Sequence, residues 1–274
     1  MKKILVTGSA GYVGRHLCNL LTSLDYQVHG LDIKPPVETE IPWNQIDIRN
    51  NINFLERYDA VVHLAALMQV GESVKIPYEY YNTNFNGTYN VLTGITCNNF
   101  IFASTGSAEV PVSPYSLSKL ACEHIVEEYC TKNNIAYTMF RFYNVIGTDG
   151  KIYPTNPDGL MYNMILAEKS GTLKIFGDDY NTPDGSPVRD YVHVMDICRA
   201  IQLAIETPAN GLENLGTGTG HTVKEIANAY MQANNCKFEL SICGRRNGDA
   251  ERTVLKNPSS YMKNNYTLEQ LVKR

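Results

Sequence analysis

The stretch Ile4-Leu-Val-Thr-Gly-Ser-Ala-Gly-Tyr-Val-Gly14 decides the fold of this chain. A short apolar run leads into glycines at positions 8, 11 and 14. Apolar residues then recur from Leu17 to Leu24 with the spacing of one helix face. The pattern predicts a strand, a tight turn and a helix whose first amides face a phosphate, as in a Rossmann-type nucleotide-binding turn.

An acidic residue supports this interpretation. The next predicted strand, Tyr26 to Leu31, ends at Asp32. An acid about 20 residues beyond the glycines binds the ribose hydroxyls of the cofactor's adenosine and repels a 2′-phosphate. Asp32 therefore favours NAD over NADP, and the alternative is a turn aspartate before the Pro35-Pro36 break.

Predicted strands and helices alternate through the first half of the chain. This alternation indicates an α/β fold with a Rossmann-type, doubly wound parallel sheet, whose ligands bind at the carboxyl ends of the strands. We expect an NAD-binding domain of residues 1–146 and 188–206, and a smaller α+β substrate domain of residues 147–187 and 207–274. Further strands are predicted at 43–48, 59–65, 99–104 and 135–142, and helices at 78–96 and 115–132.

The segment Tyr115-Ser-Leu-Ser-Lys119 places a weak acid and a cation on one face of a predicted helix. Lowering a tyrosine pKa from about 10 to about 7 requires roughly 4 kcal/mol, which one cation at about 4 Å supplies at an effective dielectric of about 20. The spacing predicts a tyrosine base activated by Lys119, and the alternative is an ordinary solvated helix face.

Composition excludes several classes of protein. The net charge of −4 offers no basic field for nucleic acid. No apolar run reaches the roughly 20 residues of a membrane span, and the first residues enter a strand without a signal-peptide pattern. The seven cysteines lack Cys-x-x-Cys spacing and the six histidines lack ligand spacing, which predicts no metal and a reducing, cytoplasmic location.

Longer segments resemble a known family. The chain is similar to the extended short-chain dehydrogenase/reductases and, within them, to the UDP-glucose 4-epimerases, over nearly its whole length. The segments that carry the resemblance are Val70-Gly-Glu-Ser-Val74, Tyr80-Tyr-Asn-Thr-Asn84, Phe176-Gly-Asp-Asp-Tyr180, Val188-Arg-Asp-Tyr-Val-His-Val194, Asn214-Leu-Gly-Thr-Gly218 and Arg245-Arg-Asn-Gly-Asp249.

The resemblance implies an isomerase that inverts C4 of a UDP-hexose through a transient 4-keto sugar. Hydride would pass from C4 to a bound NAD and return to the opposite face of the sugar. Tyr115 would be the acid/base, Lys119 would hold the nicotinamide ribose, and Thr105 would bind the sugar O4, with Ser104 and Ser107 as alternative donors. The resemblance also implies a homodimer that uses the helices predicted at 78–96 and 115–132.

The family's binding residues carry over to two further sets of positions. Predicted cofactor contacts are Gly8, Gly11, Tyr12, Val13, Gly14, Asp32, Asp47, Ile48, Leu64, Ala65, Ala66, Asn84 and Tyr143. Predicted contacts with the UDP-sugar are Asn144, Lys174, Ile175, Phe176, Arg189, Arg246, Asp249 and Thr253. Guanidinium groups suit the diphosphate and a carboxylate suits ribose hydroxyls, although Arg189 alone could equally be a partner of Asp190 or Asp196.

Several positions depart from the family pattern. Tyr115 follows Thr105 by only ten positions, where relatives have a longer loop, and Met68 and Gly159 replace a lysine and an asparagine. The chain also ends soon after Tyr266. Thr253, nearer to a small than to a bulky residue, leads us to hypothesise that N-acetylated UDP-hexoses are accepted.

Two other classes of function remain open. A related nucleotide-sugar dehydratase or reductase is one, although Gly106 and Ser107 follow Thr105 where dehydratases carry an acidic pair. A catalytically weak NAD-binding regulator is the other. A second glycine cluster, Gly216 to Gly220, is interpreted as a turn before a helix capped by Thr222 and Glu225.

Overall fold

The computed structural model describes residues 1–246 and 249–274. Asn247 and Gly248, in the middle of the segment from Arg245 to Asp249, lie outside the described residues. Strands in the described part are β1 Lys3–Thr7, β2 Gln27–Asp32, β3 Trp43–Gln45, β4 Phe54–His63, β5 Ile95–Thr105, β6 Ala136–Phe142, β7 Asn144–Ile146, β8 Thr172–Phe176, β9 Val188–His193, β10 Gly211–Leu215, β11 Gly220–Thr222, β12 Glu239–Cys243 and β13 Arg252–Thr253.

The helices begin and end at residues that explain them. The longest begins after Ser113, whose hydroxyl accepts from the Ser116 amide, and has proline at its first position. The helices are α1 Tyr12–Ser23, α2 Val70–Lys75, α3 Pro77–Tyr80, α4 Gly87–Gly94, α5 Pro114–Lys132, α6 Leu160–Ser170, α7 Val194–Glu206, α8 Val223–Ala233 and α9 Leu268–Val272, with a π-helical turn at Tyr81–Asn86 and a 3-10 turn at Gly106–Ala108.

A seven-stranded sheet with helices between its strands confirms the predicted Rossmann-type α/β class. Its order is β10-β6-β5-β4-β1-β2-β3, and the pairs from β6 to β3 are all parallel. Strand order reverses beside β1, where β2 lies on one side and β4 on the other. Residues that follow β1 and β4 therefore meet at the topological switch point, where such sheets bind ligands.

The chain divides into two compact units. The first unit is Met1–Phe142 with Cys198–Glu213, and the second unit is Tyr143–Ile197 with Asn214–Arg274. Residues 143–146 and 188–197, which we expected with the NAD-binding domain, lie in the second unit because β9 pairs there with β7, β11 and β13. Residues 207–213 lie in the first unit instead.

Two other details differ from the sequence predictions. The helix predicted at 78–96 is divided into α3, the π-helical turn and α4, while β5 begins already at Ile95. β4 ends at His63, so residues 64 and 65 belong to the loop after it. The capping box of Thr222 and Glu225 at the start of α8 is confirmed, because each side chain accepts from the other's backbone amide.

Each unit has its own buried core. In the first, Phe100 and Phe102 of β5 pack with Val126 of α5 and Val91 of α4. In the second, Ile175 of β8 packs with Met164 of α6 and Tyr230 of α8. Among the described residues, no helix combines the length and apolarity needed to cross a membrane.

Candidate functional site

The turn after β1 is built so that only glycine fits at two of its positions. Gly8 has φ of +71°, and a Cβ there would lie 2.7 Å from the amide nitrogen of Ala65. A Cβ at Gly14 would overlap the carbonyl oxygen of Gly8, while the amide of Gly11 donates to that same oxygen at 3.0 Å. The three glycines therefore bring β1, α1 and the loop after β4 into direct backbone contact.

The first turn of α1, which contains Tyr12 and Val13, is suited to an anion. Within the described residues no side chain caps this helix, and its first turn contains no acidic residue. Its first amides thus remain available for phosphate oxygens. The predicted pyrophosphate position fits this arrangement.

Asp32 connects the end of β2 with the glycine turn. Its Oδ2 accepts from the amide of Ala10 at 2.9 Å, and its Oδ1 accepts from the amide of Lys34 at 3.0 Å. The carboxylate is therefore both the turn aspartate of the alternative interpretation and a neighbour of the glycine turn. Its predicted role as the acceptor for ribose hydroxyls stays a prediction.

Apart from Asn84, the other residues predicted to bind the cofactor lie in three places. Leu64, Ala65 and Ala66 follow β4 directly beside Gly8. Asp47 and Ile48 lie after β3: hydrogen bonds from Arg49 lower the pKa of the Asp47 carboxyl, and the Ile48 side chain packs under Gly87. Tyr143 opens the second unit, with its amide donating to Leu215.

Asn84 lies in the π-helical turn, and its side chain is buried in a protein network. Its Oδ1 accepts from the amide of Leu67 at 2.8 Å, and its Nδ2 donates to the Leu67 carbonyl at 3.0 Å and to Ser118 Oγ at 2.9 Å. Ser118 in turn donates to the Tyr115 carbonyl at 2.7 Å. Asn84 thereby joins the loop after β4 to the helix that carries Tyr115.

Thr105 and Tyr115 are brought together at the carboxyl end of β5. Thr105 is the last residue of that strand, and its side chain interacts with the Tyr115 hydroxyl: burial raises the pKa of Tyr115, and the hydrogen bond with Thr105 opposes this rise. The Tyr115 ring packs edge-on against buried Tyr80, with ring centres 6.4 Å apart. The ten-residue connection is thus long enough to place the two hydroxyls side by side.

The structure separates Ser104 from the other two candidate donors. Its side chain is buried and donates to Glu123, which forms a bidentate ion pair with Arg141 at 2.6 and 2.9 Å. Thr105 and Ser107 instead hydrogen-bond each other at 3.1 Å nearer the surface. Thr105 and Ser107 therefore remain as donors to a ligand, whereas Ser104 is structural.

The predicted effect of Lys119 on Tyr115 is not found. Burial raises the pKa of Tyr115 despite the contact with Thr105. The Lys119 ammonium is itself buried, lying 4.0 Å from the ring centre of Phe102, and desolvation lowers its pKa to about 8 although Cys122 and Glu123 oppose this shift. Spacing on the helix gave the correct face, but the lysine extends toward Phe102.

In the second unit, one carboxylate lies between two arginines. Asp249 Oδ1 is 3.9 Å from Arg189 NH2, and Asp249 Oδ2 accepts from Arg246 Nε at 2.9 Å. The Arg246 guanidinium lies 4.7 Å from the ring centre of Phe176. A flat aromatic surface and two guanidinium groups together suit a base and a diphosphate.

Asp190 is not the partner of Arg189. Its buried carboxylate accepts from the amide and hydroxyl of Thr217 and from the amides of Gly218 and Leu255, at 2.6 to 3.2 Å. The second glycine cluster therefore encloses an internal carboxylate, in agreement with its interpretation as a turn. The Arg189 guanidinium donates to the Val188 carbonyl at 2.9 Å and lies 3.9 Å from Asp249.

The remaining substrate candidates surround β8 and β9. Lys174 is exposed and Ile175 is buried on β8, immediately before Phe176. Asn144 of β7 donates to the Asp190 carbonyl at 3.1 Å, and Thr253 of β13 is paired with Arg189. Two departures from the family also have clear places, since Met68 is 55% exposed and Gly159 precedes α6.

Sequence reasoning missed three groups that support these sites. The Glu123–Arg141 pair fixes α5 on β6, and His63 lies buried behind the loop after β4. Arg245 stacks 3.9 Å from the ring centre of Tyr180. Of these three groups, only Arg245 could have been identified from the sequence, because it is adjacent to the predicted ligand contact Arg246. Across the described residues, no cluster of His, Cys, Asp and Glu has the arrangement of a metal site.

The sequence is similar to those of known proteins. Residues 4–216 match the NAD dependent epimerase/dehydratase family. A UDP-glucose 4-epimerase of Rhizobium leguminosarum bv. trifolii is 33% identical over an alignment length of 291, and the alignment covers 93% of this chain and 89% of that protein.

Two solved structures are similar over nearly their whole length. The UDP-glucose 4-epimerase of Brucella ovis in complex with NAD has a TM-score of 0.88 and 27% identity, covering 99% of this chain and 96% of that one. The UDP-glucose 4-epimerase of Bifidobacterium longum in complex with NAD+ and UDP has a TM-score of 0.84 and 27% identity, covering 98% and 96%. On the evidence of the family match and of this sequence identity, the chain belongs to the NAD dependent epimerase/dehydratase family.

Proposed function

We propose that this protein is an NAD-dependent isomerase that inverts C4 of a UDP-hexose, interconverting UDP-glucose and UDP-galactose. One observation carries the proposal. The Thr105–Tyr115 pair, with Lys119 one turn further along the same helix, stands on the fold whose glycine turn fits NAD. Half-buried Arg189 and exposed Arg246 also support binding of a diphosphate.

The first unit would perform the chemistry. Bound NAD supplies hydride acceptance and hydride return at C4. Tyr115 would take the proton of the 4-hydroxyl and give one back, while Thr105 would hydrogen-bond the same oxygen. Lys119 would bind ribose hydroxyls with its ammonium.

The second unit would recognise the UDP portion. Arg189 and Arg246 would bind the two phosphates, because their forked donors match phosphate oxygens bidentately. Asp249 would orient both guanidinium groups and accept from ribose hydroxyls, and Phe176 would offer a stacking surface. Asn144, Lys174 and Ile175 complete the proposed substrate positions.

N-acetylated UDP-hexoses are a second candidate substrate class. Thr253 is half-buried and carries a short side chain directly beside Arg189 in the sheet. A residue of this size leaves more room than an aromatic one. Turnover of UDP-glucose alone in parallel assays of both sugars would eliminate this candidate.

A homodimer is the assembly we propose. Large apolar side chains are exposed along α2 to α5, including Val74, Tyr78, Tyr89 and Leu117. A second copy packing on these helices would cover them, since apolar surface rimmed by polar residues commonly marks an interface. Sedimentation analysis that finds only the 30.7 kDa monomer would contradict the proposal. The cytoplasmic location remains a prediction.

The deciding experiment is conversion of UDP-galactose to UDP-glucose by purified, NAD-loaded protein. Tyr115→Phe should abolish it while NAD stays bound, because only the proton-transferring hydroxyl is lost. Tyr230→Phe is the matched control, since that buried tyrosine lies in the core of the second unit and donates to Glu168. Product analysis also tests the alternatives: a dehydrated sugar would indicate a dehydratase, and no interconversion of any UDP-hexose would refute the proposed function.

A further inference from the structure

His63 is a buried histidine to which the proposed reaction assigns no role. It is the last residue of β4 and is 1% exposed. Its Nδ1 lies 2.7 Å from Thr7 Oγ1, and its Nε2 lies 3.0 Å from Thr88 Oγ1. The imidazole therefore bridges β1 and α4 behind the loop that follows β4.

The direction of these hydrogen bonds can be derived. Thr88 donates its only hydroxyl hydrogen to the carbonyl of Asn84 at 2.6 Å, so its oxygen accepts from His63 Nε2. A neutral imidazole has one N–H, so Nδ1 accepts from Thr7. The Thr7 oxygen then accepts from the amide of Ala65 at 3.3 Å. The tautomer of His63 that is protonated at Nε2 is therefore compatible with all four of these hydrogen bonds.

Both ends of this series of hydrogen bonds, Ala65 and Asn84, are residues predicted to bind the cofactor. Thr7 immediately precedes Gly8, and the Ala65 amide is the atom closest to the missing Cβ of Gly8. Asn84, at the other end, fixes Leu67 through two hydrogen bonds. Displacement of the imidazole would therefore act on the glycine turn and on the loop after β4 together.

The surroundings favour the neutral ring. The Phe102 ring, on which the Lys119 ammonium lies, is tilted against His63 with ring centres 5.8 Å apart. Burial and the nearby Lys119 lower the pKa of His63 to about 3. A protonated imidazole would place two cations in one apolar pocket.

We propose that His63 is a positioning residue for the cofactor: as the neutral Nε2–H tautomer it fixes Gly8, Ala65 and Asn84 in the geometry that binds NAD. For the identity of that ligand, the inference rests on the proposed function. The residue touches neither the reacting atoms nor the sugar. Its loss should thus weaken NAD binding more than it changes the KM for the UDP-sugar.

The first test removes one half of the bridge at a time. His63→Asn keeps an acceptor at the position of Nδ1, and His63→Gln keeps a donor at the position of Nε2. Because each removes one of the two hydrogen bonds between His63 and the buried threonine hydroxyls, we expect the Kd for NAD, measured by titration calorimetry, to rise about tenfold in both. The KM for UDP-galactose should stay within about twofold of native.

A threonine pair provides the matched control. Thr7 and Thr138 are both fully buried on strands of the same sheet, and each hydroxyl accepts from one backbone amide, that of Ala65 and that of Ala209. Thr7→Val should weaken NAD binding, whereas Thr138→Val should lower thermal stability to a similar extent without affecting NAD. Equal NAD affinity in the two variants would show that His63 and Thr7 are merely structural.

A spectroscopic readout is independent of activity. The ¹⁵N chemical shifts of the imidazole should show His63 protonated at Nε2 alone, and unchanged from pH 5 to 8. A titrating ring, or the Nδ1–H tautomer, would overturn the inference. Native protein that binds NAD but epimerises no UDP-hexose would refute only the proposed function, because the tautomer and the NAD affinities would still be measurable.

Discussion

Replacing Lys119 with methionine should stabilise the protein while abolishing its activity. The lysine is 4% exposed, and its ammonium lies against the ring of Phe102. Methionine keeps an unbranched stem and a favourable contact with the aromatic ring but removes the buried charge. The substitution therefore separates the stability of the fold from the function of the site.

The magnitude follows from the pKa of Lys119, which is about 8 compared with the ordinary 10.5. At about 1.4 kcal/mol per unit, this difference means that the charged form costs the native state roughly 3 kcal/mol at neutral pH. For a chain of this size, 1 kcal/mol corresponds to about 2–4 °C, so Lys119→Met should raise the Tm by roughly 6–12 °C. Conversion of UDP-galactose should fall to background.

The pH dependence identifies the cause. Below pH 8 the lysine is protonated in both the native and unfolded states, so the full cost is present. Between about 8 and 10.5 only the unfolded state holds the proton, and native stability rises with pH until the cost disappears. The Tm advantage of Lys119→Met should thus be constant below pH 8 and shrink above it.

The matched control is Lys132→Met, at the exposed end of the same helix. That change loses a favourable interaction with the helix terminus and should alter the free energy of unfolding by less than about 1 kcal/mol. Scanning calorimetry of the NAD-free proteins at several pH values tests both variants. A Tm of Lys119→Met equal to or below native at pH 7 would refute the reasoning, as would an equal gain in Lys132→Met.

Three further outcomes can be measured. Arg141→Met leaves Glu123 buried without its bidentate partner and should lower the free energy of unfolding by about 3–5 kcal/mol in urea; a loss below 1 kcal/mol would argue against a buried pair. Arg246→Lys removes forked donors and should raise the KM for UDP-galactose about tenfold with kcat nearly unchanged, so an equal fall in kcat would contradict a pure binding role. Thr253→Tyr should reduce kcat/KM for UDP-N-acetylgalactosamine about tenfold relative to UDP-galactose, and an unchanged ratio would exclude Thr253 as a determinant of sugar size.

The fold was predictable where its determinants are local in sequence. The glycine turn requires a positive φ at Gly8 and the absence of a Cβ at Gly14, and both requirements appear directly as residue types. The π-helical turn at Tyr81–Asn86 was not predictable, because the residues around it have ordinary helical spacing. Its role is seen only when Asn84 contacts Leu67 and Ser118, which lie far from it in sequence.

In the candidate site, too, the features that are local in sequence were predictable, and the contacts between distant residues were not. Motifs identified Thr105 and Tyr115 as neighbours, and the helical period placed Lys119 on the correct face. The period carries no information on side-chain direction or burial, so the contact with Phe102 and the resulting pKa shifts were missed. Likewise, the choice against Ser104 depends on Glu123, a partner supplied by a different element.

The pKa shifts of Lys119 and Tyr115 in the first unit have the same physical cause. Burial lowers the pKa of Lys119 and raises that of Tyr115, so each group is held where its ionised form is poorly solvated by the protein. Stability alone would favour replacing Lys119 with an apolar side chain, whereas the Tyr115 shift costs nothing at neutral pH because the phenol is un-ionised in both the native and unfolded states. A ligand that brings hydroxyl oxygens to the lysine and a reacting alcohol to the tyrosine would supply the interactions that water cannot. The free energy that the buried charge of Lys119 costs the native protein is therefore a physical reason to expect a functional role for this lysine, and the predicted role of Tyr115 depends on a bound ligand that stabilises its phenolate.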